Sequence, residues 1–160
     1  HKDGKLRIGS SIDISCRLLV EDIMKLGVVP RKTGKEVVPE IDDENFRHFL
    51  RGYFDGDGNA YYGTQITDGY ICTDSKASIV CANKEFLEQL KYRCGGIGNK
   101  VRQFSQKCFS WPVRSKSDLT KFYSILYPNE ECFCLDRKRI IFDNILLSYK
   151  DKNDVSNVRR

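Results

Sequence analysis

Residues 49–58, F-L-R-G-Y-F-D-G-D-G, constrain this chain more than any other stretch. Phe46, Phe49, Leu50, Tyr53 and Phe54 recur at helical spacing, and Asp42 or Asp43 is placed to cap the start of that helix. Gly52 and Gly56 lie four apart, so they share one helical face. Glycine inside a helix costs about 0.5–1 kcal/mol relative to alanine. Two of them on one face suit a second helix whose backbone comes very close. The helix then ends in two carboxylates, Asp55 and Asp57, at the pole where the macrodipole is negative. Anions there lower stability unless a cation arrives, and a bound divalent metal would supply one. The competing reading is a solvated Asp-Gly turn.

The rest of the chain reads as short alternating elements. Residues 5–9 form a strand. Residues 13–26 form a helix carrying Ile14, Leu18, Leu19, Ile23 and Leu26, with Gly27 as its stop and Pro30 just beyond. A polar connector covers 31–39. After the glycine helix, residues 59–82 hold two strands around Asp68-Gly69. Asn83 caps a helix with Phe86, Leu87, Leu90 and Cys94 on one side, and Gly95-Gly96 ends it. Residues 99–114 read as a hairpin in which Phe109, Trp111 and Val113 alternate with polar neighbours and face a core. Ser117 caps a helix with Leu119, Phe122, Ile125 and Leu126, closed by Pro128; a last helix, about 136–149, carries Ile140, Ile141, Ile145 and Leu146. From Asp43 onward the order is helix, two strands, helix, two strands, helix, helix. That is an α+β fold with an antiparallel sheet wet on one face. The order strand, capped helix, turn, Arg-Lys occurs near the start and again near the end, as in a duplicated unit whose first copy is mostly missing.

Composition narrows the function classes. At 160 residues there is room for one domain or little more. No apolar run spans a bilayer. The chain starts at His1 with no signal peptide, so a piece of a longer, intracellular protein is expected, in the cytoplasm, nucleus or an organelle. Seven cysteines include no C-x-x-C pair, and Cys132 and Cys134 are too close for a zinc knuckle, so reduced, mostly buried thiols are expected. Residues 1–58 hold 10 Lys/Arg against 11 Asp/Glu, whereas residues 59–160 hold 17 against 11. From Gln89 to Ser117 there is no acid but Lys91, Arg93, Lys100, Arg102, Lys107, Arg114 and Lys116, a pattern suited to a polyanion.

Two motifs fail on counting. A calcium loop starting at Asp55 would need Gly and Glu where Ala60 and Ile66 stand. G-G-I-G at 95–98 lacks the third glycine of a dinucleotide fingerprint, its place being taken by Val101. Instead, Leu50 to Gly58, L-R-G-Y-F-D-G-D-G, resembles the signature helix of the LAGLIDADG homing endonucleases, with Gly52, Asp55, Asp57 and Gly58 matching. K-L-G-V-V-P-R-K-T at 25–33 with Pro39 resembles the join between the repeats of two-repeat members. L-Y-P at 126–128 and L-D-R-K at 135–138 resemble the end of the second repeat.

This resemblance implies an αββαββα repeat with a saddle-shaped antiparallel sheet astride the major groove of double-stranded DNA. It implies a site-specific endonuclease using Mg²⁺, encoded within an intron or intein. Residues 1–40 would be the tail of a first repeat and a linker, 41–150 a complete second repeat, and 151–160 a tail. Asp57 falls on the metal-binding acid, and Lys138 and Lys32 fall near a basic catalytic residue. Gly52, Gly56, Leu50 and Tyr53 fall on the face that packs two signature helices together. The first such helix would precede residue 1, leaving this chain one of two acids and an open glycine face; a homodimer is the alternative cover. For the sheet, Arg and Lys fit guanine edges and Gln fits adenine, which selects Tyr61, Gln65, Lys76, Lys100, Arg102, Gln103, Lys107 and Arg114. The rival function is a non-cleaving DNA- or RNA-binding protein of the same fold, such as an intron maturase or a transcription regulator.

Overall fold

The computed structural model describes residues 13–31, 33–67, 70–129 and 131–157. The strand read at 5–9, the Asp68-Gly69 turn and Lys32 lie outside the described residues. Helix α1 (Arg17–Lys25) leads through a connector into α2 (Asp43–Asp57). Strands β1 (Gly58–Thr67) and β2 (Tyr70–Cys81) follow, then α3 (Lys84–Arg93), β3 (Arg102–Ser105), β4 (Cys108–Val113), α4 (Lys116–Leu126) and α5 (Asp136–Asn157). The sheet is antiparallel with order β1-β2-β4-β3. No helix among the described residues is long and apolar enough to cross a membrane.

Capping explains most helix starts. The Asp42 carboxylate accepts from the Asn45 amide, and the Asn83 side chain accepts from the Phe86 amide. Helix α4 is capped by Ser115, whose Oγ accepts from the Asp118 amide, and not by Ser117. At helix ends, Gly27, Gly95 and Gly96 take the positive φ that lets the chain turn away.

Pleat parity divides the sheet. Ala60 pairs with Ala77, Ala77 with Val113, and Ile79 with Trp111, placing these residues on one face. On that face Trp111, Ile79, Phe54, Phe86, Phe122 and Phe142 are fully buried. The Trp111 indole N–H donates to the Ile97 carbonyl at 3.0 Å, so even its polar edge is satisfied. Every sheet residue in the core cluster has this parity. The stripe of α5 that enters the core is Phe142 and Ile145, whereas Ile140 is exposed. Helix α5 also runs on to Asn157, into the stretch read as a tail. Helix α1 buries none of its residues, and Leu18, Val20 and Met24 stay exposed. Of the six cysteines whose side chains are described, Cys81 and Cys94 are buried; Cys16 is exposed and the others are half-buried, all as free thiols. Burial pushes the Cys94 thiol up to about 12.

Helix α2 passes directly into β1 at Gly58. Gly58 has an ordinary φ of −80°, so conformational freedom is not why glycine stands there. A Cβ at this position would collide with the ring and carbonyl of Phe54, a ring already packed edge-on against Phe122. The variant Gly58→Ala is expected to lose about 1–3 kcal/mol by overpacking, measured as a shift in urea midpoint with unchanged slope.

Candidate functional site

The last turn of α2 carries two carboxylates with different surroundings. Asp55 Oδ2 accepts from the Leu135 amide at 3.0 Å, and its Oδ1 is buried. Asp57, the last helical residue, is exposed, and no hydrogen bond or ion pair among the described residues engages its carboxylate. Asp55 is therefore a structural acid and Asp57 the free one.

The cation demanded by that helix end comes from the protein itself. Lys138, near the start of α5, is 4% exposed. Its ammonium donates to the carbonyls of Phe54 at 2.6 Å, Asp55 at 2.8 Å and Gly58. An ammonium has three donors, so all are engaged. In this arrangement all three donors serve backbone carbonyls of the α2–β1 junction. The ammonium thus supplies a positive charge at the helix pole that carries Asp55 and Asp57. Burial, with Arg137 adding to it, pulls the Lys138 pKa below its ordinary value, while Asp55 and Asp57 oppose that shift.

Asp57 offers a single exposed carboxylate. No group of three His, Cys, Asp or Glu side chains that could hold a metal occurs among the described residues. A closed all-protein site is thus not offered here. A lone exposed carboxylate suits Mg²⁺, which keeps several waters and takes phosphate oxygens as partners.

The residues expected to pack two signature helices divide into two sets. Gly52 and Gly56 face open space, with nothing near where a Cβ would stand. Beside them lies a groove of about 470 Å³ lined by His48, Arg51, Asp55, Phe133, Cys134 and Leu135. Leu50 and Tyr53 instead pack inward: Leu50 is fully buried, and the Tyr53 ring packs at a tilt against Phe86 with ring centroids 4.8 Å apart. Burial raises the Tyr53 hydroxyl pKa, with Cys81 and Asp57 adding to it.

The expected DNA contacts also sort by geometry. Tyr61 and Lys76 are register partners on the face opposite the core, and the Lys76 ammonium lies 4.7 Å from the Tyr61 ring centroid. Lys76 also meets Asp74 at 3.3 Å. Arg102 pairs with Ser110 and shares that face; Gln103 pairs with Phe109 and so has the core-side parity, although it is exposed. Lys100, Lys107 and Arg114 are exposed in the segments flanking β3 and β4. Gln65 sits opposite Cys72 in the register, and its side chain lies outside the described part of the structure. Two cations of the basic stretch serve the fold instead. Arg93 donates to Asp43 and the Ile41 carbonyl and stacks on Phe46 at 4.1 Å; Lys91 donates to the Asn99 carbonyl.

Against solved structures, the chain superposes on an archaeal intron-encoded homing endonuclease, I-Vdi141I, complexed with DNA. The TM-score is 0.58 at 19% identity, covering 69% of this chain and 72% of that one. It superposes on the LAGLIDADG homing endonuclease I-GzeII in complex with its DNA target at TM-score 0.58 and 18% identity, over 66% of this chain and 36% of that one. The homing endonuclease I-CvuI, solved with uncleaved DNA in the presence of 2 mM Mg, gives TM-score 0.55 at 17% identity, over 66% of each chain. The fold is that of the LAGLIDADG homing endonucleases. Within it, α2 carries Gly52 and Gly56, and Asp57 stands at its foot. No family model matches the chain. The replication factor C small subunit of Thermococcus kodakarensis is 31% identical over 93 residues, which make up 56% of this chain and 9% of that one.

One residue of α2 carried a role that periodicity did not signal. Arg51 is buried without a carboxylate: Nε donates to the Phe133 carbonyl at 3.0 Å and Nη1 to the Leu126 carbonyl at 2.9 Å. Nη2 meets His48 Nδ1 at 2.6 Å, and because arginine only donates, that nitrogen accepts. The guanidinium thus ties α2 to the end of α4 and to the segment before α5. Replacing it by methionine leaves two carbonyls unpaired, and an unfolding free energy lower by about 1–3 kcal/mol is expected in urea titration.

Proposed function

We propose that this chain is part of a site-specific double-strand DNA endonuclease that hydrolyses phosphodiester bonds, with Asp57 as its metal-binding acid. The observation that carries this reading is the free, exposed carboxylate of Asp57 at the foot of a signature helix in the LAGLIDADG fold. Its neighbours of the same fold include proteins solved with DNA. Asp57 offers carboxylate oxygens to Mg²⁺ without first breaking an internal ion pair. The metal, when bound, lowers the pKa of a coordinated water and stabilises charge on the departing oxygen. Hydrolysis joins the water oxygen to phosphorus while the ester oxygen leaves with a proton. Lys76 and Arg102 on the sheet, with Lys100, Lys107 and Arg114 beside it, neutralise phosphates and bring base-reading side chains to the major groove.

On this reading residues 1–40 end a preceding repeat, whose body covers the exposed face of α1 and the glycine face of α2; a second copy of the chain is the alternative cover. Residues 41–150 form the complete repeat, with α5 extending a little beyond it. Lys32 keeps its proposed place near the acid of that other repeat. A coding origin within an intron or intein accords with a match that occupies 9% of a longer relative.

Two measurements test this. A DNA site is first selected from a random duplex pool. Asp57→Asn is then expected to lower Mg²⁺-dependent strand cleavage by at least about 100-fold while DNA affinity is retained. Cleavage at the unaltered rate overturns the role of Asp57. Binding without any Mg²⁺-dependent cleavage by the unaltered chain gives the non-cleaving reading instead. Second, the five basic residues named above predict a slope of log affinity against log salt of about −4 to −5. Each alanine replacement among them should flatten it by about 1, and a flat response would remove that surface from the interface.

A further inference from the structure

We propose that Lys138 is a positioning residue for Asp57, acting through the backbone on either side of it and touching neither metal nor DNA. This rests on the nuclease reading for its purpose, but its geometry stands independently. The carbonyls of the last turn of a helix have no partners in the next turn. At the end of α2 the Gly58 amide returns to the Phe54 carbonyl, which leaves the others open. Lys138 Nζ collects Phe54 and Asp55 from the helix and Gly58 from the strand. Asp57 lies between Asp55 and Gly58, so one buried cation grips the backbone before and after it. The junction has no turn residues to absorb a rotation, because β1 starts at Gly58 and pairs there with Ile79. A change in the peptide planes around Asp57 would therefore break contacts with Lys138 or with β2. The same end of α5 holds α2 a second time, through the Leu135 amide on Asp55. Two contacts from one segment fix the last turn in rotation as well as in position.

The alternative role, direct contact with the reacting phosphate, makes different predictions. In protein labelled with ¹⁵N-lysine, the Lys138 ammonium should give a signal protected from solvent exchange. That signal should not move when selected duplex DNA and Ca²⁺ are added. A shift of it on DNA binding, or rapid exchange in the free protein, overturns the proposal without needing any variant to fold. In Lys138→Met, amide exchange at Asp57, Gly58 and Asn59 should accelerate while Ile79 and Trp111 keep their protection. The Mg²⁺ concentration for half-maximal cleavage should rise by about 10–100-fold, as for outer-shell partners of metal ligands, with most of the rate returning at saturating metal. An unchanged midpoint with a lower saturating rate would instead mark a group that acts on the reacting phosphate. If the ammonium and exchange results hold but the unaltered protein does not cut DNA, the nuclease reading fails and the backbone clamp stands.

Discussion

Helix α2 becomes strand β1 between Asp57 and Gly58 with no turn between them, and that junction must be held against two effects. The last carbonyls of a helix carry partial negative charge, and here two carboxylates are added to the same pole. A solvated junction would leave this repulsion to water. In this fold Gly58 is pressed against Phe54 and the junction lies against the core, so part of it is beyond water's reach. The buried ammonium of Lys138 meets both needs at once. It gives three carbonyls a donor, and it places a positive charge among the negative ones. An unpaired charge at this depth would be costly; surrounded by three carbonyls and near two carboxylates, it is compensated. Helix α5 is thereby fixed to α2.

The sheet repeats this division between structural and available groups. Its core parity carries alanine, isoleucine, tryptophan and valine, and the opposite parity carries Tyr61, Lys76 and Arg102. Formal charge alone overstates the surface open to a polyanion. Arg93 and Lys91 belong to the basic stretch by sequence, yet both are bonded to backbone carbonyls, and Arg93 also covers Phe46. Their removal would act on the stability of α2 and α3 before it acted on a ligand.

The element order and most caps were legible because they depend on residues within one turn of each other. Asp42 with Asn45 and Asn83 with Phe86 are contacts of three residues' span. Ser117 was read in place of Ser115 because both precede Leu119, Phe122 and Leu126, and moving a cap by two residues leaves that apolar stripe where it is. The length of α5 was underread for a related reason: beyond Tyr149 its residues are polar except Val155, and a helix without an apolar face leaves no periodic signal. The backbone partners of Lys138 were not legible, because they lie 80 to 84 residues away. Two signals were nonetheless present. The paired carboxylates of α2 called for a cation, and Lys138 precedes Phe142 by four residues and Ile145 by seven, on the stripe that α5 buries.

Why Asp57 and not Asp55 is the free acid follows from helical geometry. Each residue turns the helix by about 100°, so two residues separated by one point to nearly opposite sides. Asp55 shares its side with Arg51 and Gly52 and meets the Leu135 amide in the groove beside α5. Asp57 continues the stripe of Leu50 and Tyr53, and its charge is felt at the Tyr53 hydroxyl. That stripe is buried as long as α3 and the sheet lie over it, and Asp57 is the first position beyond that cover. Shifting the motif by one residue would turn both carboxylates by about 100° and remove Asp55 from the Leu135 amide. The single residue between the two acids is what lets one lock the helix to the segment before α5 while the other remains available at the edge of the sheet.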